Sequence, residues 1–353
     1  MPRLVLASAA AAAPMGAQGY EEQLAARAES ALREVDPSWQ VHRLVFRSVR
    51  SDLPGTGRLP MGWLTGAGRR SRAAVGRVVY PPGAVVHRTA LELPPGPIDV
   101  VTLHDVVAWR FGDESPPVRA AAAELRSAAA VICVSEFTAG EARDLLGLTE
   151  VRVVPNGVAA AFFDAIPLDA PALAGLGLPR RFVLHAGGAA RRKNLDALAA
   201  AWPDVRAAHP DMCLALCGPP HPRRDALFAG MPGVRLLGRL PDAVMPGLVA
   251  AAAAVVVPST YEGFGLPALE AMAAGVPLVA ARSAALPEVV GEGGLLVDPT
   301  PEGIGAGLLR ALGGGADITS LAAAGRERAG EFTWPAVAAA YERLYAAILR
   351  SAD

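Results

Sequence analysis

Short apolar runs alternate with amphipathic stretches along almost the whole chain, and they do so in two successive series. That alternation is the pattern of parallel strands joined by helical crossovers. In the first series the strand candidates are 3–7, 40–46, 85–87, 100–103, 130–134 and 151–154, with helices at 20–33, 117–129 and 137–146. A Pro-, Gly- and Ala-rich stretch at about 158–179 breaks the pattern and reads as a linker. The second series has strand candidates at 182–186, 213–217, 234–237, 254–257, 277–280 and 295–297, with helices at 194–208, 244–251 and 266–274. The last segment, 335–349, is an amphipathic helix with Val337, Tyr341, Leu344, Tyr345 and Ile348 on one side and Pro335 in its permitted first turn. The expected fold class is α/β, two tandem Rossmann-like domains facing a central cleft. The expected boundaries are 1–165, 166–334 and a helix at 335–353 returning to the first domain. A length of 353 residues suits two domains of about 150 residues each. Ligands of such sheets bind beyond the carboxyl ends of the strands.

Charge and cysteine usage narrow the partners. Lys and Arg number 33 against 34 Asp and Glu, so the basic excess of a nucleic-acid partner is missing. Cys133, Cys213 and Cys217 are odd in number, lack metal-type spacing and sit in apolar runs, which fits buried thiols of a reducing, cytoplasmic compartment. Arg3 followed by an alanine-rich run has the outline of a secretory leader, but a buried strand entering a loop with Gly16 and Gly19 accounts for it better. The apolar stretch at 249–257 falls well short of the ~20 residues of a membrane span.

Lys193 is the only lysine of the chain and stands beside Asn194, one of only two asparagines; every other basic position is arginine. Lysine and asparagine have A-rich codons, and the Ala-, Gly-, Pro- and Arg-rich composition suits a genome that removes them. A compact ammonium is not interchangeable with a guanidinium fork at a phosphate, so Lys193 is expected to grip an anion. A second segment carries chemistry: Pro258-Ser259-Thr260-Tyr261-Glu262-Gly263-Phe264-Gly265-Leu266-Pro267-Ala268-Leu269-Glu270. A strand ends before it, a glycine-bearing loop follows, and a helix starts near Leu266. Backbone N–H groups at such a helix start form an anion site. The carboxylates Glu262 and Glu270 bracket it, which suits a ligand that also brings hydroxyl donors, such as a sugar or ribose. No complete G-x-G-x-x-G follows an expected strand, which disfavours a dinucleotide oxidoreductase, and no D-x-D pair offers a divalent-metal clamp.

Glu262 and Glu270, with seven residues between them in this setting, resemble the signature of the retaining glycosyltransferases of family 4, the group 1 enzymes of GT-B type. Arg192-Lys193-Asn194 resembles that family's phosphate-binding turn, and His104-Asp105 the H-D pair of one subgroup. Ser135-Glu136-Phe137, Val154-Pro155-Asn156-Gly157, Leu286-Pro287-Glu288-Val289, Asp298-Pro299 and Phe332-Thr333-Trp334 follow in family order. The resemblance is strong from about residue 98 onward and weak before 95. It implies an amino-terminal acceptor domain and a carboxyl-terminal donor domain for a nucleotide-sugar.

By that resemblance Lys193 and Arg192 hold the diphosphate and stabilise its developing charge. Glu270 accepts from the ribose hydroxyls and Glu262 contacts sugar hydroxyls. The backbone of Gly263, Phe264, Gly265 and Leu266 orients sugar and phosphate. Arg239-Leu240-Pro241 meets the base. His104, with Asp105, faces the reacting carbon from across the cleft, and Gly16 or Gly19 lets the first loop approach the phosphate. His104, Lys193 and Glu262 are thus the catalytic candidates, with Glu262 as a positioning group. The reaction implied is hexose transfer with retention, leaning to GDP-mannose, with UDP- and dTDP-sugars open and no cofactor or metal. The acceptor class is carbohydrate, lipid-linked or natural-product. Alternatives are a nucleotide-sugar epimerase, a glycosyl phosphorylase or a non-catalytic sugar-nucleotide-binding scaffold. Two departures stand out: Gly187-Gly188 replaces the Gly-Arg of many relatives, with Arg191 as a possible substitute, and the amino-terminal glycine loop is irregular. His87 and His185 read as packed histidines. Arg69, Arg70, Arg72 and Arg77, after Trp63, suit an anionic membrane surface, but the glycine-broken segment favours a solvated face.

Overall fold

The computed structural model describes residues 3–11, 16–35 and 38–352, so Pro14 and Met15 of the first glycine loop lie outside the described residues. The chain divides into two compact units, 1–157 with 334–353, and 158–333. The first unit closes at Gly157, where sequence reasoning drew its boundary at 165.

The first unit holds seven strands: β1 (Arg3–Ala9), β2 (Gln40–Ser48), β3 (Gly57–Leu59), β4 (Val85–Arg88), β5 (Ile98–Leu103), β6 (Ala130–Cys133) and β7 (Arg152–Val153). They form one parallel sheet in the order β3-β2-β1-β4-β5-β6-β7. The second unit holds β8 (Phe182–Ala186), β9 (Cys213–Cys217), β10 (Val234–Gly238), β11 (Ala254–Val257), β12 (Leu278–Ala281) and β13 (Leu295–Val297). Their parallel order is β10-β9-β8-β11-β12-β13. Strands β8, β9, β11 and β12 are buried almost throughout, as expected of parallel strands covered on both faces, and this is why they read as continuous apolar runs. In each sheet the order reverses beside the first strand, between β1 and β4 and between β8 and β11. Such a reversal leaves a crevice at the carboxyl ends of the strands.

Helix Trp334–Ala352 belongs to the first unit and packs on helix Gly16–Val35. Its Trp334, Val337, Tyr341, Leu344, Tyr345 and Ile348 share one core with Tyr20, Leu24, Leu32, Val85 and Val100. A buried polar network fixes this docking. Thr102 Oγ1 lies 3.1 Å from the hydroxyls of both Tyr20 and Tyr341, and those two hydroxyls bond each other. His87 Nε2 lies 2.7 Å from Thr102 Oγ1, and Nδ1 lies 2.6 Å from the Tyr345 hydroxyl. Burial, and then His104, lower the His87 pKa to about 3, so a neutral ring sits in the network. Gly157 is glycine for a steric reason: a Cβ there would stand 2.8 Å from Trp334.

Two expectations are corrected. The stretch at 158–179 is not a free linker. It contains helices Ala160–Phe163 and Ala170–Gly175, and Leu168 N donates to Gly247 O at 3.0 Å within the second unit. Residues Arg69–Val79 form a continuous helix, because Gly76 is buried where a Cβ would strike Pro95 O at 1.9 Å. Arg72 of that helix is fully buried rather than solvated. Its guanidinium meets Glu124 at 2.6 and 3.1 Å and donates to the carbonyls of Leu64, Leu91, Glu92 and Leu93. Arg88 forks onto Asp99 at 2.8 and 2.7 Å and reaches Glu124 at 3.2 Å. This four-residue ion network sits under the sheet, where sequence patterning expects apolar side chains. Among the described residues, no helix is long and apolar enough to cross a membrane.

Candidate functional site

The carboxyl ends of β8 and β11 adjoin at the reversal of strand order in the second unit. After β8 the chain makes one tight turn, Arg191–Lys193, ended by Asn194 in the left-handed region at φ 53°. Asparagine tolerates this conformation better than most side chains. Its amide donates to Pro258 O at 3.0 Å and Pro299 O at 2.9 Å, which ties the turn to the segment after β11. Thr260 N donates back to Arg192 O at 2.8 Å. The survival of an asparagine beside the single lysine therefore has a mechanical reason: it holds that lysine in place. Sequence reasoning gave Asn194 no role of its own.

Lys193 Nζ lies 2.6 and 2.8 Å from the two carboxylate oxygens of Glu262, and Arg192 approaches Glu262 at 3.7 Å. Burial pushes the Glu262 carboxyl up, but the Lys193 ammonium, its hydrogen bonds, the Ser259 hydroxyl and Arg192 outweigh burial and hold it below the usual carboxylate range. The phosphate candidate and the sugar candidate thus face each other as an ion pair.

Gly263, Phe264 and Gly265 are buried behind Glu262, and Phe264 packs edge-on against Phe332 at 5.8 Å. Gly265 takes φ 104°, and a Cβ there would meet Leu286 at 2.6 Å, so only glycine fits the entry to helix Leu266–Ala273. Glu270 lies one turn into that helix. Burial, then the nearby Asp242, push its carboxyl up to about 8. Two further groups were not singled out for this rim. His185, on β8, donates from Nδ1 to Val256 O at 3.1 Å while burial lowers its pKa to about 4. Arg224 is a buried guanidinium on the carbonyls of Gly187 and of Pro219, at 3.3 Å for the latter. Gly188 has open space around it, and Arg191 is exposed at the start of the turn.

The remaining candidates lie in the first unit. His104 follows β5, and its ring meets Tyr20 edge-on at 4.8 Å. Burial lowers it to about 4, and its Nε2 is buried with no hydrogen-bond partner. Asp105 Oδ1 accepts from Val107 N at 3.2 Å, a local turn that fixes the chain after His104. Gly16 and Gly19 stand in the first turn of helix Gly16–Val35 rather than in the loop before it, and Gly19 is exposed with open space at its Cβ position. Among the described residues there is no group of three His, Cys, Asp or Glu side chains arranged to hold a metal ion.

Comparison with known proteins gives one consistent answer. Residues 12–162 match the family described as Glycosyltransferase Family 4, and residues 180–313 match the glycosyl transferases group 1. The O-antigen chain mannosyltransferase B of Escherichia coli is 33% identical over 257 residues, 67% of this chain and 66% of that one. The MMP alpha-(1->4)-mannosyltransferase of Mycolicibacterium hassiacum is 45% identical over 111 residues, 30% of this chain and 27% of that one. The chain thus spans just under two thirds of the first relative and about a quarter of the second. In structure, the sucrose-phosphate synthase of Thermosynechococcus elongatus superposes with a TM-score of 0.77 at 26% identity, covering 99% of this chain and 100% of that one. With its two Rossmann-like parallel sheets and these matches along both, the chain belongs to glycosyltransferase family 4, of GT-B fold.

Proposed function

We propose that the chain transfers a hexose, with mannose from GDP-mannose as the leading donor, from a nucleoside-diphosphate sugar to an acceptor hydroxyl with retention of configuration. The observation that carries this reading is the Lys193–Glu262 pair at the strand-order reversal, with Arg192 beside it and Glu270 in the first turns of the helix that follows the Glu262 loop. Two of the matched relatives are named as mannosyltransferases, which supports the choice of sugar.

In this mechanism the diphosphate takes the place of the Glu262 carboxylate on Lys193 and Arg192. The released carboxylate turns to the hydroxyls of the sugar. The bond from the anomeric carbon to the phosphate oxygen breaks, and the two cations neutralise the charge left on that oxygen. The acceptor oxygen bonds to the same face of the carbon, and its proton passes to the departing phosphate. Positioning supplies much of the rate, so no side-chain nucleophile is required. His104, in the first unit, is neutral at pH 7 on the burial described above and does not carry charge. The proposed reaction uses no resident metal, and transfer should survive chelation. Loss of activity in EDTA, restored by magnesium or manganese, would contradict it.

Glu270 gives the proposal a pH signature. A carboxyl raised to about 8 is mostly protonated at pH 7, whereas two ribose hydroxyls donate best to the anion. Nucleotide binding should therefore release a proton. Affinity for a nucleoside diphosphate is expected to rise with pH between 6 and 8, by at most ~10-fold per unit, and to level off above 8. The same shift acts oppositely on folding. The native state holds this proton more tightly than the unfolded chain, so the contribution of Glu270 to stability declines as pH rises from the ordinary carboxyl range to about 8. Calorimetry in buffers of different ionisation enthalpy would measure the released proton, and Glu270→Gln should abolish it.

The donor class is tested by thermal shift of the wild type and Lys193→Ala against GDP, UDP, dTDP and ADP and their sugars. A shift for GDP and GDP-mannose that the variant loses supports the reading. A shift for another nucleotide replaces the donor, and no shift with any of them argues for a non-catalytic scaffold.

A further inference from the structure

Residues 37–91 contain nine arginines and a single acid, Asp52, in a chain whose totals are 33 basic against 34 acidic residues. Two of the nine, Arg72 and Arg88, are buried in the ion network. Of the other seven, Arg47 is half-buried and six are exposed, and Arg69, Arg70 and Arg77 stand on one helix. Helix Arg69–Val79 turns Val75, Gly76 and Val79 inward, while Arg70, Ala74, Arg77 and Val78 follow one another along its outer face and are exposed. Arg72 fastens this helix to the one before it, Met61–Gly66, through Leu64 O at 2.8 Å. Next to Leu64 stands Trp63, 53% exposed. Arg119 borders the same short helix, its N–H donating to Thr65 O at 3.0 Å.

The apolar content of this face matters as much as its charge. Six large hydrophobic side chains are exposed among the described residues, and two of them, Trp63 and Val78 (85%), stand on these two helices. A soluble polyanion would neutralise the arginines but gain nothing from these two. A bilayer boundary serves both, since phosphate headgroups pair with guanidinium groups, tryptophan prefers the headgroup level and aliphatic side chains enter just below it. Between residues 37 and 92 the acids are Asp52 and Glu92 alone, both exposed.

We propose that this face, built by the two helices, docks on an anionic lipid surface. The site reading above is not needed for it. The helix that sequence patterning treated as glycine-broken is continuous and one-sided, which reverses the earlier preference for a solvated face.

The test is co-sedimentation of the whole chain with phosphatidylcholine vesicles, with and without phosphatidylglycerol. Binding is expected only when the anionic lipid is present, and to fall as salt rises. Arg70→Glu with Arg77→Glu should weaken partitioning at least ~25-fold, from ~5-fold per arginine at such a surface. Trp63→Ser should weaken it too. All three positions are exposed, and an unchanged urea midpoint would show that folding is intact. Arg152→Glu, on β7 at the opposite edge of the sheet, should leave binding unaltered. The proposal falls if pure phosphatidylcholine binds equally, if the anionic vesicles do not bind, or if Arg152→Glu costs as much as the paired substitution. It falls equally if heparin binds while vesicles do not.

Discussion

Replacing Lys193 with alanine is expected to lower transfer from a sugar nucleotide by ~100-fold or more, by analogy with the loss of one preorganised donor to a developing anion. The loss should appear in turnover as well as in donor affinity, because the ammonium is needed most when the phosphate departs. Lys193→Arg should not restore the rate: Nζ fits between two carboxylate oxygens at 2.6 and 2.8 Å, a seat for a point charge rather than a fork. Glu262→Gln separates the two halves of the pair. It removes the resident counter-ion, so a free nucleoside diphosphate should bind more tightly than to the wild type even as transfer falls. Near wild-type turnover in Lys193→Ala would remove its phosphate role. Weaker nucleotide binding in Glu262→Gln would remove the idea that the carboxylate competes with phosphate.

Arg88→Leu is expected to destabilise the first unit by about 3–5 kcal/mol, the usual result of breaking a buried ion pair from one side. For a body of this size that corresponds to a fall in melting temperature on the order of 10 °C. Asp99, which now receives two bonds from Arg88, would be left buried without its partner, and Glu124 would keep only Arg72. An unpaired buried carboxylate favours its protonated form. The deficit should therefore shrink as pH is lowered towards 5. Arg88→Leu with Asp99→Leu should cost less than Arg88→Leu alone, because no charge is stranded. Urea unfolding at two pH values would measure both effects. A deficit independent of pH would mean that lost packing, and not the stranded carboxylate, dominates.

The contrast between these two sites explains what the sequence makes legible. All twelve strands expected from apolar runs begin within two residues of the observed ones, because parallel strands covered on both faces leave an unbroken hydrophobic record. Strand β3 escaped notice because three residues at a sheet edge, Gly57-Arg58-Leu59, leave no such record. Helices Pro301–Gly313 and Ala316–Ala329 were also missed, since alanine and glycine give little contrast between faces. The Arg72–Glu124–Arg88–Asp99 network was hidden for a different reason: an arginine in sequence looks solvated, and its partner here lies 52 residues away. At the site, residue type pointed to Lys193 and the Glu262–Glu270 spacing pointed to the loop. Their direct pairing, and the asparagine that holds the turn in place, became visible only once β8 and β11 lay side by side.

The return of helix Trp334–Ala352 to the first unit bears on how the chain is made. Synthesis proceeds from the amino end, and domains generally fold as they emerge. Here the order of completion inverts the order of appearance. Residues 158–333 form a unit continuous in sequence and can close as soon as they clear the ribosome. The first unit is translated earlier, yet its core lacks Tyr341 and Tyr345, and Tyr20 waits 321 residues for its hydroxyl partner. Until then its apolar helix face has nothing to cover it, and the nascent chain presents that face for most of its elongation. Folding yield, rather than the equilibrium stability of the finished protein, is where loss or slow translation of the helix Trp334–Ala352 would be felt.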